Sequence, residues 1–296
     1  MWVAFAIVSM LSLGFYDVFK KLALERNNVF WVLFLNTVFC TLFMLPVLVK
    51  GFIDGSYSFN NWHNHGLMLV KAAIVTSSWL LGYFAIKNLP LTLQGSINAL
   101  RPVLVLVGAI IIFDEGSRIN ALQWIGIALG LVSLAWIGFI GRREGVTLKN
   151  SLWLLSGLLS VVLWAASGLY DKWLMSHGFH PLEVEAWYSF YQFVIMLVVV
   201  AVVGRRFNSI GHDRFQWRWS ILLISVFIAV ADLTYFYALS APEALVSVAS
   251  MIRRGSALVA FFYGIFVLHE RNVRLKIIDQ SLLIIGVALM ILGSVL

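Results

Sequence analysis

Apolar runs of about twenty residues alternate with short polar breaks along this chain. They fall near 2–23, 29–49, 67–87, 91–113, 119–140, 151–174, 183–203, 219–239, 243–268 and 276–295. Each has the length a helix needs, at 1.5 Å of rise per residue, to cross roughly 30 Å of hydrocarbon. Several breaks are only a few residues long, so neighbouring helices must be antiparallel hairpins. The longest connections, 51–66, 141–150 and 204–218, are too short for a soluble domain. The pattern predicts an all-α polytopic membrane protein with ten transmembrane helices. In the opening "MWVAFAIVSMLSLGFYDVFKK" the lysines follow the apolar run, which predicts a retained first helix and not a cleaved signal.

The pattern also repeats. "GFYDVFKKLAL" at Gly14 echoes "GLYDKWLMSHG" at Gly168, an offset of 154 that aligns Asp17 with Asp171. "YFAIKNLP" at 83–90 echoes "YFYALSAP" at 235–242, and the same offset of 152 sets Arg101 opposite Arg253. "GIALG" at 126–130 resembles "GVALM" at 286–290. The echoes keep their order, so the expected organisation is a first five-helix repeat (1–140), a connection (141–150) and a second five-helix repeat (151–296). Five is odd, so the second copy enters the membrane upside down. Inverted repeats of this kind bind substrate at the repeat interface.

Composition sharpens the class. The 296 residues are 61% hydrophobic and 12% charged, against roughly 25% charged in soluble domains. A soluble enzyme or ATPase is excluded, and no phosphate-binding loop or nucleophile motif has its required context. The net charge of +7 is strewn through turns without a basic helix or zinc-finger spacing, so nucleic acid is no partner. No cofactor is expected, and no metal: His63 and His65 have no third ligand nearby and read as an interfacial polar loop. Cys40 is alone, which rules out an intrachain disulfide.

The helix count, the repeat and one local pattern together resemble the EamA-like family of the drug/metabolite transporter superfamily. The resemblance covers about 2–140 and 151–295. The family's fourth helix commonly has a central proline and an acid after its end, matched by Pro102, Asp114 and Glu115 in "LRPVLVLVGAIIIFDE". In the ninth, Arg254 replaces the proline and Glu270 in "FVLHE" keeps the acid. The resemblance implies ten helices in two repeats and secondary active transport of a small metabolite by ion gradient or exchange. It names no cargo.

The membrane-embedded charges supply the candidate site. Gln94, Asn98, Arg101, Val105 and Gly108 share one face of helix four; Ser250, Arg253, Ala257, Ala260 and Gly264 share the related face of helix nine. An arginine near mid-membrane costs about 2.5 kcal/mol or more, so it should face a cavity or an acid. Arg254 lies about 100° around from Arg253. Substrate-binding candidates are Arg253, Arg101, Arg254, Asn98, Ser250, Tyr235 and Trp164. Coupling or counterion candidates are Asp232, Asp171 and Asp17, with Asp232 the deepest. The same arginines also suit purely structural ion pairs. Glu183, Glu185 and Glu243 read as helix-start acids that favour the dipole.

The arginines favour a cargo with a carboxylate or phosphate, moved by alternating access with a proton or an exchanged solute as partner. Aromatic residues beside Asp171 and Asp232 keep amino acids or organic cations as the alternative. A lipid-linked substrate flippase or a membrane scaffold is the further one. Gly126, Gly130 and Gly286 suit close packing of helices five and ten, within one chain or in a homodimer. Odd-numbered connections hold most Lys and Arg; even-numbered ones hold Lys50, Lys71, Arg118 and Lys172. The positive-inside rule then puts both termini outside, whereas the family resemblance implies cytoplasmic termini. The expected location is a bacterial inner or plasma membrane, in contact with lipid.

Overall fold

The computed structural model describes residues 1–55, 61–88, 100–143, 151–210, 215–256, 258–259, 262–263 and 273–295. They form an all-α bundle. The first half contains α1 (Trp2–Leu24), α2 (Val29–Asp54), α3 (Trp62–Asn88), α4 (Arg101–Phe113) and, after a 3-10 turn (Glu115–Ser117), α5 (Ala121–Arg143). The second contains α6 (Ser151–Ser176), α7 (Pro181–Ile210), α8 (Trp219–Leu239), α9 (Val246–Arg254) and α10 (Val273–Val295). Among the described residues six helical spans are long and apolar enough to cross a membrane: Trp2–Leu24, Val29–Asp54, Trp62–Gly82, Leu152–Ser176, Pro181–Val202 and Trp219–Leu239. Arg101–Phe113, Ala121–Ser133 and Gln280–Ser294 are shorter apolar stretches.

Burial is distributed as lipid requires. Phe52, Ile111, Leu152 and Val202 face outward, while Ser9, Asn36, Ser78, Ser160 and Ser225 are buried. Lipid tails are as apolar as leucine, so helices associate through small residues and internal hydrogen bonds. Each main pairing joins one half of the chain to the other: α1 with α8, α2 with α7, α3 with α6, α4 with α9 and α5 with α10.

The seams show the mechanism. Ser9 Oγ donates to the Ala231 carbonyl at 2.6 Å, tying α1 to α8. Ser78 and Ser160 each donate to the other's carbonyl at 2.8 Å between α3 and α6. Ser225 Oγ donates to Asn36 Oδ1 at 2.9 Å between α8 and α2. At the α5–α10 crossing a Cβ on Gly126 would lie 2.6 Å from the Gly286 carbonyl, and one on Gly286 would lie 2.8 Å from that of Gly126. These glycines are used inside one chain.

Several expected boundaries shift; the helix expected over 183–203, for one, runs Pro181–Ile210. The connection placed at 51–66 is shorter: α2 continues to Asp54, stops at Gly55 in the left-handed conformation (φ 61°), and α3 begins at Trp62. His63 and His65 therefore sit on a helix. The run expected over 243–268 starts at Val246 and breaks at Gly255, with helical residues again at 256, 258–259 and 262–263. Around Gly255 the backbone tightens to i→i+3 bonds, Gly255 N–H to Ile252 (2.8 Å) and Leu258 N–H to Gly255 (2.9 Å). A Cβ there would lie 3.3 Å from Met10 Cγ of α1, so α1 packs against the break.

Gly286→Val drives a side chain onto the α5 backbone and should destabilise the bundle by about 1–3 kcal/mol. Gly66→Val, where a Cβ meets nothing within 4 Å, should leave it unchanged. Thermal unfolding in detergent compares the two, and equal melting temperatures would refute this packing.

Candidate functional site

A cavity of about 180 Å³ opens where the first turn of α4 meets the last turn of α9. Asp17, Arg101, Trp164, Tyr235, Ser250, Arg253 and Arg254 all line it, together with Tyr16 and Lys20. Seven of the ten sequence candidates thus converge from five helices. Of the other three, Asp232 and Asp171 stand behind the wall, and Asn98 lies outside the described residues.

Local sequence explains the placements. Pro102 occupies the first turn of α4, where its fixed φ suits a helix start and its missing N–H costs nothing. That start aims Arg101 across to α6, with its guanidinium 4.0 Å from the Trp164 ring centroid. Among the described residues no carboxylate is in ion-pair contact with Arg101. Arg253 is mostly buried. Its Nη2 donates to Asp232 Oδ1 at 2.5 Å, and its guanidinium sits 4.4 Å from the Tyr235 ring centroid. Asp17 is exposed on the cavity side of α1, and its charge interacts with Lys20, Arg254, Arg101 and Arg253.

A second buried ion pair lies deeper. Lys71 of α3 donates to Asp171 Oδ1 of α6, both side chains being buried. Its ammonium also stands 4.5 Å from the Tyr188 ring and 4.8 Å from the Phe236 ring. Lys71 is therefore an interior charge and not a helix-end one as its position suggested. Lys172, beside Asp171 in sequence, turns away and donates to the carbonyls of Leu239 and Ala241 at 3.2 and 3.3 Å. Glu185 is likewise no surface acid at a helix start, for it is 2% exposed inside the bundle.

The two faces of the bundle differ. On one, the 24–29 connection meets residues 215–219, where Asn27 Nδ2 donates to the Gln216 carbonyl at 2.7 Å and Arg218 Nη1 to that of Leu22 at 2.6 Å. The cavity lies toward this face. The other face is latched. Glu115, wholly buried, accepts from the backbone N–H of Val246 (2.6 Å) and Ser247 (3.0 Å) and from Ser247 Oγ (2.5 Å). Arg118 Nη2 adds a bond to the Pro242 carbonyl at 3.0 Å. A carboxylate on the first N–H groups of a helix satisfies orphan donors and complements the dipole. That role, expected of Glu243, belongs to Glu115 from the other half of the chain; Glu243 is exposed in the preceding turn.

Sequence reasoning passed over Lys71, Glu115 and Glu185 as site-forming groups. Two signals were present. Lys71 interrupts "GLMLVKAAIV" well inside an apolar run. Glu183 and Glu185 are two residues apart, about 200° around a helix, so both cannot face outward. For metals, the described residues contain no cluster of three or more His, Cys, Asp or Glu. His65 instead contacts the Tyr191 hydroxyl at 3.0 Å and meets Trp187 edge-on at 4.4 Å.

The model of the EamA-like transporter family matches residues 1–139 and 151–292. No curated protein matches the chain. Among 28 matching chains of solved structures, one crystal structure is similar with a TM-score of 0.68 at 12% identity, covering 99% of this chain and 94% of that chain. That likeness bears on the fold.

Ser250 is half-buried on the cavity wall, whereas Ser247, one turn toward the latch, is 1% exposed. A small impermeant maleimide should modify Ser250→Cys in liposomes and leave Ser247→Cys protected. The native Cys40 is buried and should give no background. Equal labelling at both positions would contradict a cavity on one side and a latch on the other.

Proposed function

This chain belongs to the EamA-like transporter family, and on that premise we propose that it is a secondary carrier of a small anionic metabolite, bound in the arginine-lined cavity between the two halves. It is an integral membrane protein and a transporter of small molecules. The finer reading rests on one observation, the surplus of positive charge in the cavity wall. Lys20, Arg101, Arg253 and Arg254 line it with one carboxylate, Asp17; Arg253 is paired from behind with Asp232, and Arg101 is in ion-pair contact with no carboxylate among the described residues. A carboxylate or phosphate would complete that balance. Arginine suits the task because its planar donor fork matches both oxyanions, and Trp164 holds the Arg101 guanidinium flat at the wall.

The order of helix pairing favours inverted repeats. Adding five to each helix number turns the α1–α8 pairing into α6–α3, and leaves α2–α7, α4–α9 and α5–α10 mapped onto themselves. That is the behaviour of a two-fold relation between halves, and a binding site at its axis is the arrangement that alternating access uses. Proton coupling or solute exchange then supplies the driving force. Asp17 supports one second reading: its exposed carboxylate shares the cavity with the arginines, so an amino acid would find partners for both its charges.

Arg253→Gln removes a charge-assisted donor worth about 1.5–3 kcal/mol and should lower saturable anion counterflow in proteoliposomes about ten- to a hundredfold. Arg253→Lys should be intermediate. The assay compares carboxylates, phosphates, amino acids and organic cations at matched protein abundance. Normal anion transport by folded Arg253→Gln, or transport of cations alone, would overturn the anion reading.

The charge asymmetry supports a cytoplasmic position for the odd-numbered connections. With Lys71 and Lys172 buried, the opposite face retains Lys50 and Arg118 of the four cations counted there. A cysteine introduced at Arg26 should be labelled only by a reagent with access to the cytoplasm. Labelling from outside intact cells would reverse the orientation.

A further inference from the structure

Between the cavity and the latched face five ionisable side chains are buried together, one from each of five helices: Lys71 (α3), Asp171 (α6), Glu185 (α7), Asp232 (α8) and Arg253 (α9). Four of them cancel as Lys71–Asp171 and Arg253–Asp232. Glu185 is the fifth. It is 2% exposed, and its Oε2 has no hydrogen-bond partner among the described residues. Its charged neighbours are Asp232, Lys71, Asp171 and Arg253. From α2 its charge reaches Cys40, and the charges of α2, Lys50 and Asp54, lie at that helix's exposed end. Tyr188, one turn along α7, shares the same field.

The charge balance of these five side chains bears directly on Glu185, with Arg101 of the cavity wall reaching Asp232 and Asp171 from the other side. With both pairs ionised, the cluster is neutral only when Glu185 carries a proton. An ionised Glu185 would leave one uncompensated charge beside two other carboxylates, a costly arrangement away from water. Further polar atoms without hydrogen-bond partners among the described residues lie on the same helices: Thr76 Oγ1 and Trp79 Nε1 on α3, and Gln192 Nε2 on α7. Trp79 in turn neighbours Trp164 of the cavity wall, with ring centroids 6.4 Å apart.

We propose that Glu185 is a proton-binding site, linked to the cavity through the Arg253–Asp232 pair. The inference rests on the carrier reading given above, because Arg253 belongs both to that pair and to the cavity wall. An anion that draws the guanidinium toward the cavity leaves Asp232 without its cation. A protonated Glu185 then donates to Asp232, so that one proton serves two carboxyls. An ionised Glu185 would instead leave two uncompensated carboxylates side by side. Anion and proton therefore favour each other's binding, and the linkage is mutual. The proton comes from water and returns to water when the cluster is hydrated on the face that opens.

The test uses the full-length protein in liposomes. In pH-difference infrared spectra the wild type should show a titrating protonated-carboxyl stretch that is lost in Glu185→Gln, shifted in Glu185→Asp and kept in Glu183→Gln. In parallel, accumulation of labelled succinate and of inorganic phosphate is measured with and without an imposed pH gradient. At one proton per anion, a gradient of one unit should raise accumulation about tenfold in the wild type, and Glu185→Gln should lose that gain. A wild type without the titrating band, or a band and gradient response that survive in Glu185→Gln, overturns the proton site. A wild type that shows the Glu185 band but moves neither probe defeats the anion reading and leaves the proton site standing. Circular dichroism and elution volume report whether Glu185→Gln folds; if it does not, the shifted band of Glu185→Asp carries the assignment.

Discussion

A charge placed in hydrocarbon has to find its opposite within the protein, and two such meetings organise this bundle. Lys71 and Asp171 join α3 to α6, while Arg253 and Asp232 join α9 to α8. Each pair is flanked by aromatic rings that accept the cation's field without adding charge, Tyr188 and Phe236 in one case and Tyr235 in the other. Removing one partner of such a pair strands a buried charge at a cost of about 3–5 kcal/mol. Helix positions around the cavity are therefore set by electrostatic pairing as much as by packing. The serine and glycine seams follow from it, since they let the backbones approach closely enough for the pairs to form.

The pairs also divide the molecule into two ends with different properties. Toward the connection between α1 and α2 the helices leave room for a cavity walled by four cations and one acid. Toward the opposite face, Glu115 holds the first N–H groups of α9 and Arg118 holds the turn before it. These bonds reach between the two halves of the chain, so the latched face cannot part without breaking them. The tight turn at Gly255 lies at the junction of the two ends, packed against Met10 of α1. Under the carrier reading, the latch and the Arg253–Asp232 pair are the two contacts whose breakage and repair separate one open state from the other.

Arg253 is central because it serves both ends. Its guanidinium is committed to Asp232 through Nη2, and the same residue lines the cavity wall. Arg101, its counterpart in the first half, is held by an aromatic face instead of an acid. The two arginines thus sit in different electrostatic settings among the described residues, one paired with an acid and one on an aromatic face.

What the sequence determined by itself follows from periodicity and composition. Long apolar runs cannot be solvated, so they dictated membrane helices; arginines within those runs could not face lipid, so they dictated an interior polar site. The order of echoes between halves set Arg101 opposite Arg253 as an expectation, and the fold brings both to one cavity. Tertiary structure decided the partners. Lys71 and Asp171 are 100 residues apart and Glu115 and Val246 are 131 apart, and no local pattern encodes such contacts. Tertiary structure also decided that Glu185 turns inward while Glu243 stays in water. A helix start favours an acid wherever it lies, and only the helices packed around it determine whether that acid meets solvent or other charges.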